Sequence, residues 1–124
     1  MTLGERSVVP ELLKLLSNQQ VDKDVRGRIA AALGTLGERS VVPDLLKLLS
    51  NEQVNTDVRR RIADALGTLV QDEASVHALL ALLHTTDIKD DIYDTLWNVS
   101  RRIGVRVVVR DIGGKEQKVE LRKW

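Results

Sequence analysis

The sequence has no cysteine and no phenylalanine, and its 124 residues include only two prolines, two tryptophans and one tyrosine. Without cysteine there is no disulfide framework, and no thiolate can act as a nucleophile or metal ligand. The longest apolar run, Ala78–Leu83, is far shorter than the roughly 20 residues that a membrane span requires. Charged residues from Glu5 onward interrupt the apolar core that a signal peptide would need. We therefore expect one small soluble domain in the cytoplasm.

What the sequence does contain is an internal repeat of 33 residues. Residues 3–35 and 36–68 are identical at 27 of 33 positions, and a degenerate third copy at 69–103 follows with an offset of 34. Each copy predicts two helices, here named helix A and helix B. Because one helix pair cannot bury both of its faces, neighbouring pairs must stack. The sequence thus predicts a helical solenoid over residues 1–103.

Local signals place the ends of these helices. Ser7 and Ser40 suit the N-cap of helix A, and Pro10 and Pro43 then fall in its first turn, where the missing N–H costs nothing. Helix B is predicted to start near residues 22–24, with acidic residues at the positive end of its dipole. Its apolar face has helical spacing and ends at the C-cap candidate Gly37. In the first copy this face consists of Val25, Ile29, Ala32, Leu33 and Leu36.

Residues 104–124 predict a β-hairpin, because apolar and polar residues alternate on both sides of the turn signal Gly113-Gly114. Two strands are marginally stable in water, so the hairpin must lie against another element. We expect it to cap the last helix pair by covering Tyr93 and Trp97. The strand residues expected to make these cap contacts are Val105, Val107 and Val109. The alternative is that Tyr93 and Trp97 stay exposed and form a binding hot spot.

The recurrent pattern VVPxLLxLL, a loop, and DVRxxIAxALGxLG resembles the short HEAT-like repeat of the phycobilisome-lyase type. It spans Val8–Leu16 with Asp24–Gly37, then Val41–Leu49 with Asp57–Leu69. Signatures of ankyrin and tetratricopeptide repeats are missing. The resemblance implies an all-α fold, a right-handed α-solenoid of helix pairs, to which the hairpin adds a C-terminal cap.

A second resemblance concerns Leu96–Val107, which is similar to the end of HEAT-like arrays in cyanobacterial signalling ATPases of the NACHT/STAND class. It implies an ATPase domain upstream of this chain. The match of Thr2-Leu3-Gly4 to Thr35-Leu36-Gly37 favours an excised piece of a longer array over a short natural chain that keeps a vestige of a helix.

Residues with catalytic or metal-binding potential are few. His77 and His84 are seven apart, about 10 Å along a helix axis, so they cannot share one metal. No serine lies in a G-x-S-x-G elbow, and Gly113-Gly114-Lys115 lacks the frame of a P-loop. The acidic clusters fall at helix N-termini, where they suit the helix dipole. We therefore predict no enzyme activity, no metal and no cofactor.

The distribution of charge along the chain helps to distinguish a nucleic-acid-binding protein from a protein-binding one. Residues 1–100 carry 11 basic and 15 acidic residues, and residues 101–124 carry 8 and 3. A basic tail without interleaved stacking aromatics disfavours nucleic acid as the partner. Arginines also recur every 33 residues, and we expect them to contact acids of the adjacent repeat rather than phosphate. The arginines are Arg26, Arg28, Arg59 and Arg61, and such acids include Asp24 and Asp57.

Three of the six differences between the first two copies share the outward face of helix B, which lines the concave surface in HEAT-like solenoids. This pattern fits a groove with tailored side chains, or solvent-exposed positions with no role. The predicted partner-binding face consists of Lys23, Thr56, Arg60, Asp64, Asp90, Asp94 and Asn98. The function expected from it is a non-enzymatic scaffold or sensor segment that binds a protein partner. The alternatives are a nucleic-acid-binding module and a bilin-lyase-like HEAT protein.

Overall fold

The computed structural model describes residues 8–113 and 116–123, leaving out the side chains of residues 107, 109–113 and 116–121. In this part of the chain, three successive pairs of helices precede a two-stranded antiparallel sheet. The elements are α1 (Val9–Ser17), α2 (Lys23–Leu36), α3 (Val42–Ser50), α4 (Thr56–Leu69), α5 (Glu73–Leu82), α6 (Lys89–Ile103), β1 (Val105–Gly113) and β2 (Glu116–Lys123). The predicted stack of helix pairs with a C-terminal hairpin is confirmed. None of the described helices is both long enough and apolar enough to cross a membrane.

Helix B begins where it was predicted to begin, and in both near-identical copies a side chain caps its first turn. The Asp22 carboxylate accepts a hydrogen bond from the Asp24 backbone N–H at 2.8 Å, and Asn55 accepts from the Asp57 N–H at the same distance. Aspartate and asparagine are equally good N-caps. The difference between the copies at this position therefore leaves the helix start unchanged.

Helix A starts differently from the prediction. Ser40 lies inside a 3-10 turn (Arg39–Val41), and α3 begins after Val41 without a side-chain cap. The backbone N–H of Ser40 instead donates to the Glu38 carboxylate at 3.4 Å. Pro43 does lie in the first turn of α3, as expected. The equivalent Ser7 and the 2–4 segment matched to 35–37 lie outside the described residues.

Contacts between successive pairs run mainly through the B helices. A Cβ atom built on Gly34 would lie 3.2 Å from the Cα atom of Ala65, so α2 and α4 touch backbone to backbone. Between α4 and α6, the Thr95 hydroxyl donates to the Ala63 carbonyl at 2.8 Å, and Arg102 donates to the Gly67 carbonyl at 2.9 Å. This close approach holds the three B helices side by side.

The first helix pair leaves apolar side chains exposed that are buried in the second. Val8 and Val25 are 44% and 46% exposed, whereas their counterparts Val41 and Val58 are 1% and 0% exposed. Ala32 is also exposed. Val25 and Ala32 belong to the predicted apolar face of helix B, and in the first pair both residues of this face are exposed. Burial of these positions requires a preceding helix pair, and the described residues place none before the first pair.

Replacing Val58 with Ala should therefore lower the free energy of unfolding by about 2 kcal/mol, the cost of losing a fully buried valine. The same change at Val25, in a closely similar local sequence, should cost less than about 0.5 kcal/mol. Urea denaturation of the two variants measures the difference. Equal losses would show that the face around Val25 is covered in solution.

The hairpin packs through β1 on α6. Its register pairs Val105 with Lys123 and Val109 with Val119. β1 ends at Gly113 and β2 begins at Glu116, and Gly114 of the predicted turn signal lies outside the described residues. Val105 is 3% exposed, as expected of a cap contact. The side chains of Val107 and Val109 lie outside the described residues.

The two aromatic residues behave differently from Val105. Trp97 is 58% exposed and Tyr93 is 37% exposed. The expectation that the hairpin covers Trp97 is therefore wrong, because this short sheet shields the end of α6 near Val105 and leaves the ring in solvent.

Candidate binding groove

A groove of about 620 Å³ follows the B helices and touches all three of them. Its walls are polar, because all of its lining residues are charged except the small residues Gly27 and Ala31. We call this surface the groove. Its charged lining residues are Lys23, Asp24, Arg28, Asp57, Arg60, Arg61, Asp64 and Asp91.

A chain of ion pairs crosses the groove from α2 to α6. Lys23 Nζ lies 3.6 Å from Asp57 Oδ2, and Arg60 Nη1 lies 3.7 Å from Asp57 Oδ1. Arg60 Nε in turn lies 3.3 Å from Asp91 Oδ2. Lys23, Asp57 and Arg60 are more than half exposed, so each pair adds at most about 1 kcal/mol to stability. The pairs orient charges along the groove more than they stabilise the fold.

In the groove, Asp64 has a carboxyl group whose ionised form is less favourable in the folded protein than in the unfolded one. Partial burial raises the pKa of its carboxyl above the ordinary value, Asp91 raises it further, Arg61 opposes the rise, and Asp94 adds to it. The first copy has Ala31 at this position, so the fold does not need an acid there. A groove carboxyl whose pKa is raised by partial burial and by neighbouring acids is a candidate functional group.

Asp64→Asn should raise the free energy of unfolding at pH 7 by up to about 0.5 kcal/mol, since the site is largely exposed. Because the pKa is higher in the folded state, the wild-type carboxylate reduces stability only where it is ionised. The gain should therefore disappear as the pH falls below about 3.9, the ordinary aspartate value. Chemical denaturation at pH 7 and pH 3 checks this. A gain that persists at pH 3 would contradict the electrostatic explanation.

The structure brings together some of the predicted partner-binding residues. Lys23, Arg60 and Asp64 line the groove. Asp94 lies close enough to Asp64 to affect its pKa, whereas the Thr56 hydroxyl accepts a hydrogen bond from Arg59 at 3.2 Å. The other two residues, Asp90 and Asn98, are exposed on α6 but do not line the groove.

The groove also contains residues that the comparison of repeat copies missed. Asp57 and Asp91 bridge the B helices. Asp91 was interpreted as a helix-dipole residue, and Asp57 was expected to pair with an arginine of the adjacent repeat. They are invariant between copies, so a search for differences passes over them. Their recurrence at the N-terminal end of each B helix was the available signal.

The expectation that the recurring arginines contact acids of the adjacent repeat is confirmed for Arg59, but its partner is Asp87 of the third copy and not Asp24 or Asp57. Arg59 is 3% exposed and pairs through Nη1 with Oδ1 of Asp87 at 2.6 Å, in the loop before α6. Its Nε donates to the Val54 carbonyl at 2.9 Å. The hydrogen bonds that Arg59 donates to the Asp87 carboxylate hold the pKa of that carboxyl below its ordinary value. Arg59 is thus a buried link between the second and third pairs.

Arg26, at the equivalent position of the first copy, is 3% exposed as well. Its Nε donates to the Leu16 carbonyl at 2.8 Å, but its Nη2 has no hydrogen-bond partner among the described residues. No aspartate corresponds to Asp87, since the second copy has Gln53 at that place. Two identical sequence positions therefore have different electrostatic environments.

The histidines contribute nothing to the groove. His77 and His84 are both exposed. Among the residues that the structure describes, no group of three or more histidine, cysteine or acidic side chains is arranged to hold a metal ion. The charged groups that line the groove are ammonium, guanidinium and carboxylate groups, and groups of these kinds form ion pairs with side chains of opposite charge.

A family model for HEAT repeats matches residues 9–97, which include five of the helices and the first part of α6. No curated protein matches the chain. The match covers the same paired helices that stack in the structure and most of the groove they form. The chain belongs to the HEAT repeat family.

Proposed function

We propose that this chain is a non-enzymatic protein-binding module, and that the groove holds an extended segment of the partner. The observation that carries the proposal is the difference between repeat copies inside the groove. The packing faces of α2 and α4 keep their residues, while positions 27 and 31 change to Arg60 and Asp64 where the groove passes from one pair to the next. Solenoids of this kind use such continuous surfaces for binding.

Charge layout supports the same proposal. On α2 the groove presents Lys23 and Arg28 with a single acid, Asp24, whereas on α6 it presents Asp91, which pairs with Arg60 and lies near Asp64. A segment with acidic residues at one end and basic residues at the other would match it in one direction only. Such complementarity selects partner and orientation more than it raises affinity.

The test compares two charge swaps that leave net charge unchanged. Arg60→Glu with Asp64→Lys, the groove swap, reverses the sign of two charges in the groove. Asp44→Lys with Lys47→Glu, the α3 swap, makes the matched change on the exposed side of α3. Each protein is immobilised and exposed to lysate of the source organism, once with and once without nuclease treatment. The bound proteins are quantified by mass spectrometry.

We expect a set of proteins that the wild type and the α3 swap retain and that the groove swap loses. Retention of the same set by all three proteins would place binding elsewhere. Binding that nuclease removes would favour a nucleic-acid partner and contradict the proposal.

We further propose a sensor role beside a signalling ATPase. This proposal rests on the similarity of Leu96–Val107 to the ends of HEAT-like arrays in signalling ATPases of the NACHT/STAND class. The genomic reading frame tests it directly. A nucleotide-binding domain encoded in frame upstream would support the proposal, and an in-frame stop codon immediately before Met1 would contradict it.

A further inference from the structure

The third B helix breaks the pattern by which the first two accept a neighbour. In α2 and α4, an alanine and a glycine four residues later let the next B helix approach. Ala30 and Ala63 are fully buried, and Gly34 lies against Ala65. The equivalent positions of α6 are Trp97 and Arg101. These large side chains prevent another helix pair from packing in the same way.

The side chains of Trp97 and Arg101 contact each other at the surface and do not fill a buried space. The Arg101 guanidinium carbon lies 5.8 Å from the centre of the Trp97 ring, within the range of a cation–π contact. Tyr93 lies one turn before Trp97 and is 37% exposed. One cation is thus already held against this ring, and the ring is still 58% exposed.

Two acidic residues lie on the N-terminal side of Trp97 along α6, opposite to Arg101. Asp94 and Asp90 precede Trp97 by three and seven residues, so they lie on the same side of α6, and both are exposed. We call Asp90, Tyr93, Asp94 and Trp97 the α6 patch. Its ring faces and carboxylates attract guanidinium and ammonium groups, and repel acidic ones.

We infer that the α6 patch anchors a basic segment of the partner protein, with one arginine or lysine side chain against Trp97 and Asp94 and a second basic side chain at Asp90, about 10 Å away along the helix axis. This inference rests on the proposed protein-binding function and adds the charge of the segment. It also agrees with the acidic α6 end of the groove, where Asp64 lies near Asp91 and Asp94. Arg101 competes with the incoming cation for the ring.

The probe is a fluorescein-labelled hexa-arginine peptide, with hexa-glutamate as its acidic counterpart, and binding is followed by fluorescence anisotropy on the full chain. We expect saturable binding of hexa-arginine and none of hexa-glutamate. Trp97→Ala should weaken binding about fivefold, the effect of losing a cation–π contact of about 1 kcal/mol. Its thermal unfolding should stay close to wild type, because the side chain is exposed.

Two further variants separate the patch from general charge. Asp90→Asn with Asp94→Asn should weaken hexa-arginine binding at least as much as Trp97→Ala. Asp44→Asn with Glu73→Gln, which removes two exposed acids from α3 and α5, should change it less than twofold. Arg101→Gln should tighten binding, because it removes the competing cation.

Equal weakening by both acid pairs, unchanged binding by Trp97→Ala, or weaker binding by Arg101→Gln would overturn the inference. The outcome is distinguishable from that of the groove proposal. If the groove swap loses its captured proteins while hexa-arginine does not bind, the protein-binding function stands and the basic anchor is wrong.

Discussion

Replacing Gly34 with Leu is expected to lower the free energy of unfolding by about 3 kcal/mol, the upper part of the range for overpacked interiors. The glycine lies where α2 meets α4, and even a Cβ atom there would be 3.2 Å from the Cα and 3.3 Å from the Cβ of Ala65. These atoms belong to a helix backbone and its first side-chain atom, so no rotamer change can make room. The two helices must move apart, which also loosens the groove between them.

Alanine substitutions provide the matched control for this prediction. At Gly67, the equivalent glycine of α4, an added Cβ atom would have its nearest neighbours at 3.9 Å, an ordinary contact distance. Gly67→Ala should therefore stabilise the protein by about 0.5 kcal/mol through helix propensity. Gly34→Ala should be less stable than Gly67→Ala in urea denaturation. The reverse order would show that the packing of α2 on α4 is looser than described.

The second large effect is expected at Arg59, where Met should lower the free energy of unfolding by about 3 kcal/mol. Methionine keeps the apolar stem but removes the bonds to Val54, Thr56 and Asp87, leaving the buried Val54 carbonyl without that donor. The third helix pair then loses its charged link to the second. Denaturation of the variant at pH 7 measures the loss.

Arg26→Met is the control within the same protein, since the local sequence around both arginines is nearly identical. Arg26 contributes one hydrogen bond and buries an unpartnered Nη2, so its replacement should change stability by less than about 1 kcal/mol in either direction. A loss as large as that for Arg59→Met would mean that Arg26 has a partner in solution.

The Arg59–Asp87 link also has a pH signature. Because Arg59 lowers the pKa of Asp87 in the folded state, the carboxylate contributes stability above its ordinary pKa of about 3.9. That contribution is lost as the pH falls through the lower value of the folded protein. Asp87→Asn should therefore destabilise the protein at pH 7 but not at the acid end of the titration. The effect should vanish at every pH when Arg59 is already Met.

The local structure of the chain followed from its sequence because it depends on neighbours within one or two turns. Asp22 and Asn55 cap helix B through their own following N–H groups, and Pro43 sits in a first turn that lacks intrahelical acceptors anyway. The repeat period then predicted that the pairs stack. The groove was predicted in part, since Lys23, Arg60 and Asp64 differ between copies and line it together.

Sequence by itself determined the helix pairs, the hairpin and the side of helix B that carries variable charge. Only the tertiary structure decided which copies of a repeated residue are buried or paired. Val25 and Val58, like Arg26 and Arg59, have nearly identical local sequences and different surroundings. Trp97 shows the same limit, because its apolar character predicted a cap while its exposure depends on how far a two-stranded sheet reaches across α6. Burial and ion pairing are properties of contacts between distant segments, and a repeated sequence cannot encode different contacts for its own copies.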